Sequence, residues 1–180
     1  MNIEDIEDGL LVLADRLTRD HQIIQCQQGI VSLTVALNVA THLMSFCLWP
    51  TYLYVNQKLT QRELDSFLDK SANYILAEVM GVQIKGFVLT TPTYRAMSRC
   101  IKPFMKNTSN KMRTLFEIQD EEEIGKASKQ CGAWWAKEYM EVTDCLGIPR
   151  LTSDEEAYTV NRWPHDFAEL KQSERRNNIL

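Results

Sequence analysis

From His21 through Gln57 the chain carries no Asp, Glu, Lys or Arg, and the centre of that stretch, Ile30 to Trp49, is strongly apolar. A helix without charge must be covered, either by lipid or by the rest of the protein. Length alone permits a membrane span, since about 20 apolar residues cross a bilayer. The spacing argues otherwise. Thr34, Asn38, Thr41, His42 and Ser45 recur at helical steps as a polar stripe, with Ile30, Leu33, Leu37, Ala40, Met44 and Cys47 largely opposite. Asn and His on a continuous stripe are costly against lipid. The expectation is a buried central helix, about residues 30–49, in a soluble bundle, with no membrane as partner.

The remaining chain reads as helices joined by short connections. Seven Gly and five Pro are few for 180 residues, which disfavours a turn-rich all-β fold. Asn2 is positioned to cap a first helix with apolar Ile3, Ile6, Leu10, Leu13 and Leu17. Pro50 is read as the stop of the central helix, with Thr51 to Lys58 an extended or turn connection. Thr60-Gln61-Arg62-Glu63 is a capping box opening a helix that stops by Gly81. Residues 82–89 alternate loosely and fit either a short strand or a continued helix. Thr91-Pro92 opens the next helix, which Pro103 bends or ends, and Lys106 to Asn110 reads as a polar loop.

Asp120 to Glu123 supply negative charge to the start of a long helix closed by Gly147 and Pro149. Ser153 to Glu156 form a second capping box for a short helix, and Trp163-Pro164 starts the last one. The tail at 173–180 is polar and expected to fray. The predicted fold is all-α: one domain over 1–180, a compact bundle of seven or eight helices around the central one.

Five cysteines, at 26, 47, 100, 131 and 145, are odd in number and contain no CxxC pair. They read as reduced, mostly buried thiols of a cytoplasmic protein. The opening MNIEDIEDG has no basic segment followed by an apolar run, so a secretory leader is not expected. His21–Cys26 and His42–Cys47 are five residues apart and point to different helix faces, which speaks against metal ligation. No metal, cofactor or catalytic motif is expected: HExxH, GxSxG and the phosphate-binding GxxxxGK[ST] are absent. Leu76 to Val82 has the Ala-to-Gly-Val spacing of a helix-turn-helix turn. The adjoining segment, Ile84 to Thr90 with Gly86, is no recognition helix.

Three features carry functional expectations. Arg95, Arg99, Lys102 and Lys106 fall on one helical face, inside a segment with no acid between Glu78 and Glu117. Such a stripe suits an acidic protein surface or nucleic acid, unless it pairs with the chain's own acids. Trp134, Trp135 and Trp163 are candidate anchors for a partner or for self-association; the adjacent pair lies about 100° apart on a helix, so one should sit at the edge of the core. Asn38 and His42 would line a polar pocket or make a satisfied contact between core helices. Together these point first to a non-catalytic protein-interaction protein of adaptor, inhibitor, immunity or chaperone type. A nucleic-acid-binding regulator comes second and a small-molecule-binding bundle third.

Overall fold

A computed structural model describes residues 35–79 and 91–177, and within them the chain runs helically through three of its five prolines. The helices are α1 (Val35–Val55), α2 (Gln61–Tyr74), α3 (Thr91–Phe116), α4 (Glu121–Leu146) and α5 (Ser153–Asn177), with a π-helical turn, Ile75–Val79, continuing α2. The described residues are thus all-helical with five α-helices and no strand, and the count of seven or eight is not reached there. The expected helix from Asn2 and the alternatives for 82–89 lie outside the described residues.

Within the described residues, helices run on through three prolines that were expected to stop, bend or start them, and at Pro103 and Pro164 this merges expected helices. Pro50 lies inside α1, Pro103 inside α3 and Pro164 inside α5. An interior proline loses one backbone hydrogen bond and costs about 3 kcal/mol. Each helix resumes because the next turns carry side chains the core needs. These are Leu53 after Pro50, Phe104, Met105, Met112 and Leu115 after Pro103, and Phe167 after Pro164. Burying an aliphatic or aromatic side chain returns about 1.5–3 kcal/mol, so the side chains after Pro103 outweigh the break, and Leu53 and Phe167 each offset half of it or more. Three expectations are corrected accordingly. Residues 51–55 are helix rather than connection, 106–110 are helix rather than loop, and the segments on either side of Pro164 are one helix. The supposedly frayed tail is also helical as far as Asn177.

The other punctuation obeys side-chain chemistry closely. Thr60 and Glu63 cap each other reciprocally at the start of α2, and the Asp120 carboxylate accepts from the Glu123 amide at 2.8 Å to open α4. At α5 the capping box sits one residue earlier than expected. The Thr152 amide donates to the Glu155 carboxylate at 2.8 Å, and the Glu155 amide donates to the Thr152 hydroxyl at 3.3 Å. Gly147, at φ 66°, closes α4 with the Ile148 amide on the Thr143 carbonyl at 3.1 Å. The same paired-bond closure ends α1, where Gln57 takes φ 58° and the Lys58 amide reaches the Leu53 carbonyl at 2.9 Å.

Buried side chains from all five helices join one core cluster. The α1 helix packs against α2, α3 and α5. It also takes a hydrogen bond from α4, Tyr139 hydroxyl to the Ala36 carbonyl at 2.7 Å. Between α3 and α4, Trp135 stacks on Tyr139, with ring centroids 5.0 Å apart, against Phe104 at 5.2 Å. Between α4 and α5 the backbones approach closely at Gly132. A β-carbon there would stand 2.8 Å from the Val160 carbonyl oxygen.

Cys100 of α3 and Cys145 of α4 form a disulfide, which corrects the expectation of unpaired thiols for these two. Their separation of 45 residues hides the pairing in the sequence, and only the antiparallel α3–α4 packing brings their Cα atoms to 6.6 Å. Cys47 and Cys131 are free. Among the described residues no helix is long and apolar enough to cross a membrane.

Candidate functional site

The basic stripe on α3 is divided. Lys102 lies 3.5 Å from Asp69 and Lys106 lies 3.8 Å from Asp65, so α2 answers the C-terminal half of the stripe with two carboxylates at the same four-residue spacing. Arg95 and Arg99 are exposed and make no ion pair or hydrogen bond with the described residues. Two unpaired arginines are a smaller electrostatic footprint than the four aligned cations the spacing suggests.

The aromatic candidates separate just as sharply. Trp135 is 0% and Trp163 1% exposed, which removes both as surface anchors of the folded chain. The Trp135 indole donates to the Thr108 hydroxyl at 3.0 Å, and Trp163 stacks with Phe167. Trp134 is the edge member of the adjacent pair, half-buried, with the Lys111 ammonium 5.2 Å from its ring centroid. Asn38 and His42 are both buried. His42 Nδ1 is 2.8 Å from the Asn38 backbone carbonyl, one turn back along α1. Neither lines the surface grooves between α1 and α5.

Sequence reasoning missed the seam between α1 and α5. Trp49 (40% exposed), Val55 (36%) and Tyr158 (53%) are the exposed large apolar side chains among the described residues; Trp49 and Val55 line grooves along it, and Tyr158 lines an adjoining groove formed by α5 residues. The middle groove, about 510 Å³, has Leu48 and Trp49 of α1 on one wall and Asp166, Glu169 and Leu170 of α5 on the other. It meets a groove of about 210 Å³ at Leu170, where Tyr52, Val55 and Phe116 are also found. At its other end it shares Arg162, Asp166 and Glu169 with a shallow groove of about 420 Å³ that reaches Tyr158. Trp49 and Tyr52 are stacked, centroids 5.6 Å apart, which presents a flat aromatic surface.

The two walls differ in charge. The α1 wall has no carboxylate, ammonium or guanidinium group, because none occurs between His21 and Gln57. On α5, Arg162 Nε is bonded to Asp166 at 3.1 Å, and His165 lies 3.7 Å from Asp166 and 3.8 Å from Glu169. Burial pushes the Asp166 carboxyl above its usual value, against the pull of Arg162 and His165. Glu169 has no Lys or Arg partner among the described residues and stays exposed. His165, Asp166 and Glu169 present ligand atoms within 4.8 Å of one another. Arg162 already occupies Asp166, however, and all three residues lie on one helix. The seam thus offers an apolar trough with an acidic lip.

The signal that could have located this seam is an inversion within α1. Its polar Asn38, His42 and Thr51 are buried while its apolar Trp49 and Val55 are exposed. Thr51 is drawn inward by hydrogen bonds to the Cys47 carbonyl and to Ser109, both at 2.6 Å. Comparison of the chain with protein-family models, with curated proteins and with solved structures gave no match.

Proposed function

We propose that this chain is a non-catalytic protein-interaction protein that binds an amphipathic helix of another protein along the α1/α5 seam. The observation that carries the reading is the placing of exposed Trp49 and Val55 in adjoining grooves of one seam. Scattered exposed apolar residues are ordinary, but contiguous ones lining a trough mark a surface that gains from being covered. A helix laid in the trough buries its apolar stripe on Leu48, Trp49 and Leu170. A lysine or arginine on its flank meets Glu169, which has no basic partner within the described residues.

The nucleic-acid alternative rests on Arg95 and Arg99 alone, since Asp65 and Asp69 hold the other two cations. The test compares Trp49→Ala/Val55→Asp, Glu169→Lys and Arg95→Glu/Arg99→Glu chains in co-purification from the native source, with helicity measured for each. The expected result is a defined partner lost with the first two variants and kept with the third, at unchanged helicity. Capture insensitive to the seam variants overturns the proposal. So does a Trp49-dependent dimer of the chain, which would make a second copy the occupant.

A further inference from the structure

The α3 helix carries a break at Pro103, and the two stretches on either side are held to the bundle in different ways. Proline has no N–H, so the Arg99 carbonyl loses its helical partner and the helix is weakest between 99 and 103. After the break the hold is dense. Phe104, Met105, Thr108, Ser109, Met112 and Leu115 are buried, the Trp135 ring lies against Phe104, and its indole donates to Thr108. Ile101, within the weak interval, is also buried, so the core still grips the chain there. Before it the hold is thin. Of residues 94–99 only Met97 is buried, and the Tyr94 hydroxyl donates to the Asn73 side chain of α2. The Ser98 hydroxyl oxygen is buried with no hydrogen-bond partner among the described residues, which costs stability rather than adding it. The covalent link to α4, from Cys100 to Cys145, falls at the edge of this thinly held stretch.

We propose that the Cys100–Cys145 disulfide is a redox latch on the first turns of α3. Closed, it clips residues 91–99 to the end of α4. Opened, it lets them pivot at 99–103 and lose helical order while the rest of the bundle stays folded. A stretch this short is marginal as a helix on its own, and such local openings cost less than global unfolding. A dithiol reductant opens the latch. Its first thiolate bonds to one cysteine sulfur as the S–S bond breaks, and the other cysteine leaves with the electron pair as a thiolate. Its second thiolate then displaces the bound cysteine and closes the reductant's own disulfide, so one dithiol is oxidised as one disulfide is reduced. Both cysteine thiolates can take up protons, and a disulfide oxidant runs the sequence backwards. Exposed Arg95 and Arg99 lie on the latched stretch, so the latch sets whether they are presented on a helix.

The test is residue-resolved hydrogen exchange on three samples of the full chain: untreated, reduced with dithiothreitol, and Cys100→Ser/Cys145→Ser without reductant. The expected result is exchange at residues 95–99 faster by about tenfold or more in the last two, the scale of losing one tether. Residues 104–116 and α4 should stay as protected as before. Agreement between the reduced chain and the variant assigns the effect to this bond rather than to the other thiols. Pro103→Ala restores the missing N–H, so in that chain opening the latch should speed exchange at 95–99 by less than about threefold. Several results overturn the proposal: free thiols at both positions in the untreated chain, protection at 95–99 that either opened sample retains, or protection lost through 104–116 and α4 as well. A release just as large in Pro103→Ala does so too.

Discussion

Gly132 gives the sharpest check on how α4 and α5 are packed. A β-carbon added there would lie 2.8 Å from the Val160 carbonyl oxygen, 3.2 Å from Val160 Cα and 3.3 Å from Trp163 Cδ1. The first two are backbone atoms that no rotamer change can move. Relaxed contacts to carbon begin near ~3.5 Å, so Gly132→Ala requires the helices to separate by roughly 0.5–0.7 Å, which forfeits about a quarter to a half of each displaced contact. Overpacking of this kind costs about 1–3 kcal/mol. Replacing glycine inside a helix returns up to about 1 kcal/mol. The net expectation is a loss of about 1–2 kcal/mol, and a Tm lowered by about 3–6 °C for a chain of this size.

The same substitution seven residues earlier supplies the control. Gly125 lies in the same helix, and a β-carbon there meets nothing within 4 Å. Gly125→Ala should therefore raise stability by about 0.5–1 kcal/mol through helix propensity alone. Thermal and urea melts followed by circular dichroism measure both, and the double variant should be additive because the sites share no partner. If Gly132→Ala is as stable as Gly125→Ala, then α4 and α5 do not cross where Val160 and Trp163 place them.

Gln57 is a non-glycine residue in the left-handed region at the end of α1. Gln57→Gly should stabilise by about 0.5–1 kcal/mol, read as a higher urea midpoint, because glycine takes that conformation without a steric penalty; a lower midpoint would mean that α1 does not close there. Asp166 has its folded pKa raised above the ordinary 3.8 by burial, so the folded chain holds that proton more tightly than the unfolded one. Stability is then lost as pH rises from the ordinary value through the raised one, and the penalty is constant above it. Asp166→Asn does not ionise, so its Tm relative to wild type should climb across that window and then level off; a difference that is flat or falls with pH refutes the assignment.

How far the sequence carried the fold depended on whether a signal was local. Capping is local, and Thr60, Asp120 and Gly147 act where their neighbours predict. The one-residue shift at α5 arises because Thr152 and Ser153 are both competent caps, and Glu155 rather than Glu156 reaches back. Proline is local in its cost but not in its consequence. Whether a helix ends at Pro50, Pro103 or Pro164 depends on what the next turns bury, which is a property of the assembled core. The Cys100–Cys145 pairing and the Lys102–Asp69 and Lys106–Asp65 pairs likewise need two helices side by side. Matching four-residue spacings on α2 and α3 were present in the sequence, but nothing in it placed those faces together.

The candidate site was hidden for a deeper reason. Hydropathy locates solvent by charge, and α1 has no charge with which to mark its outer face. Asn38 and His42 break its apolar pattern, yet they face inward. Trp135 and Trp163 looked like anchors because tryptophan is common at interfaces, yet large rings also fill helix crossings best. At Trp163 the space opposite is supplied by Gly132, a residue with no hydropathy signal at all. What distinguishes Trp49 from them is its neighbours. Among the described residues it stacks on Tyr52, next to a helix that turns Arg162, Asp166 and Glu169 toward the trough. An uncharged wall facing a charged one is a poor final surface for a chain alone in water, and a fitting one for a partner helix with an apolar stripe and a basic flank.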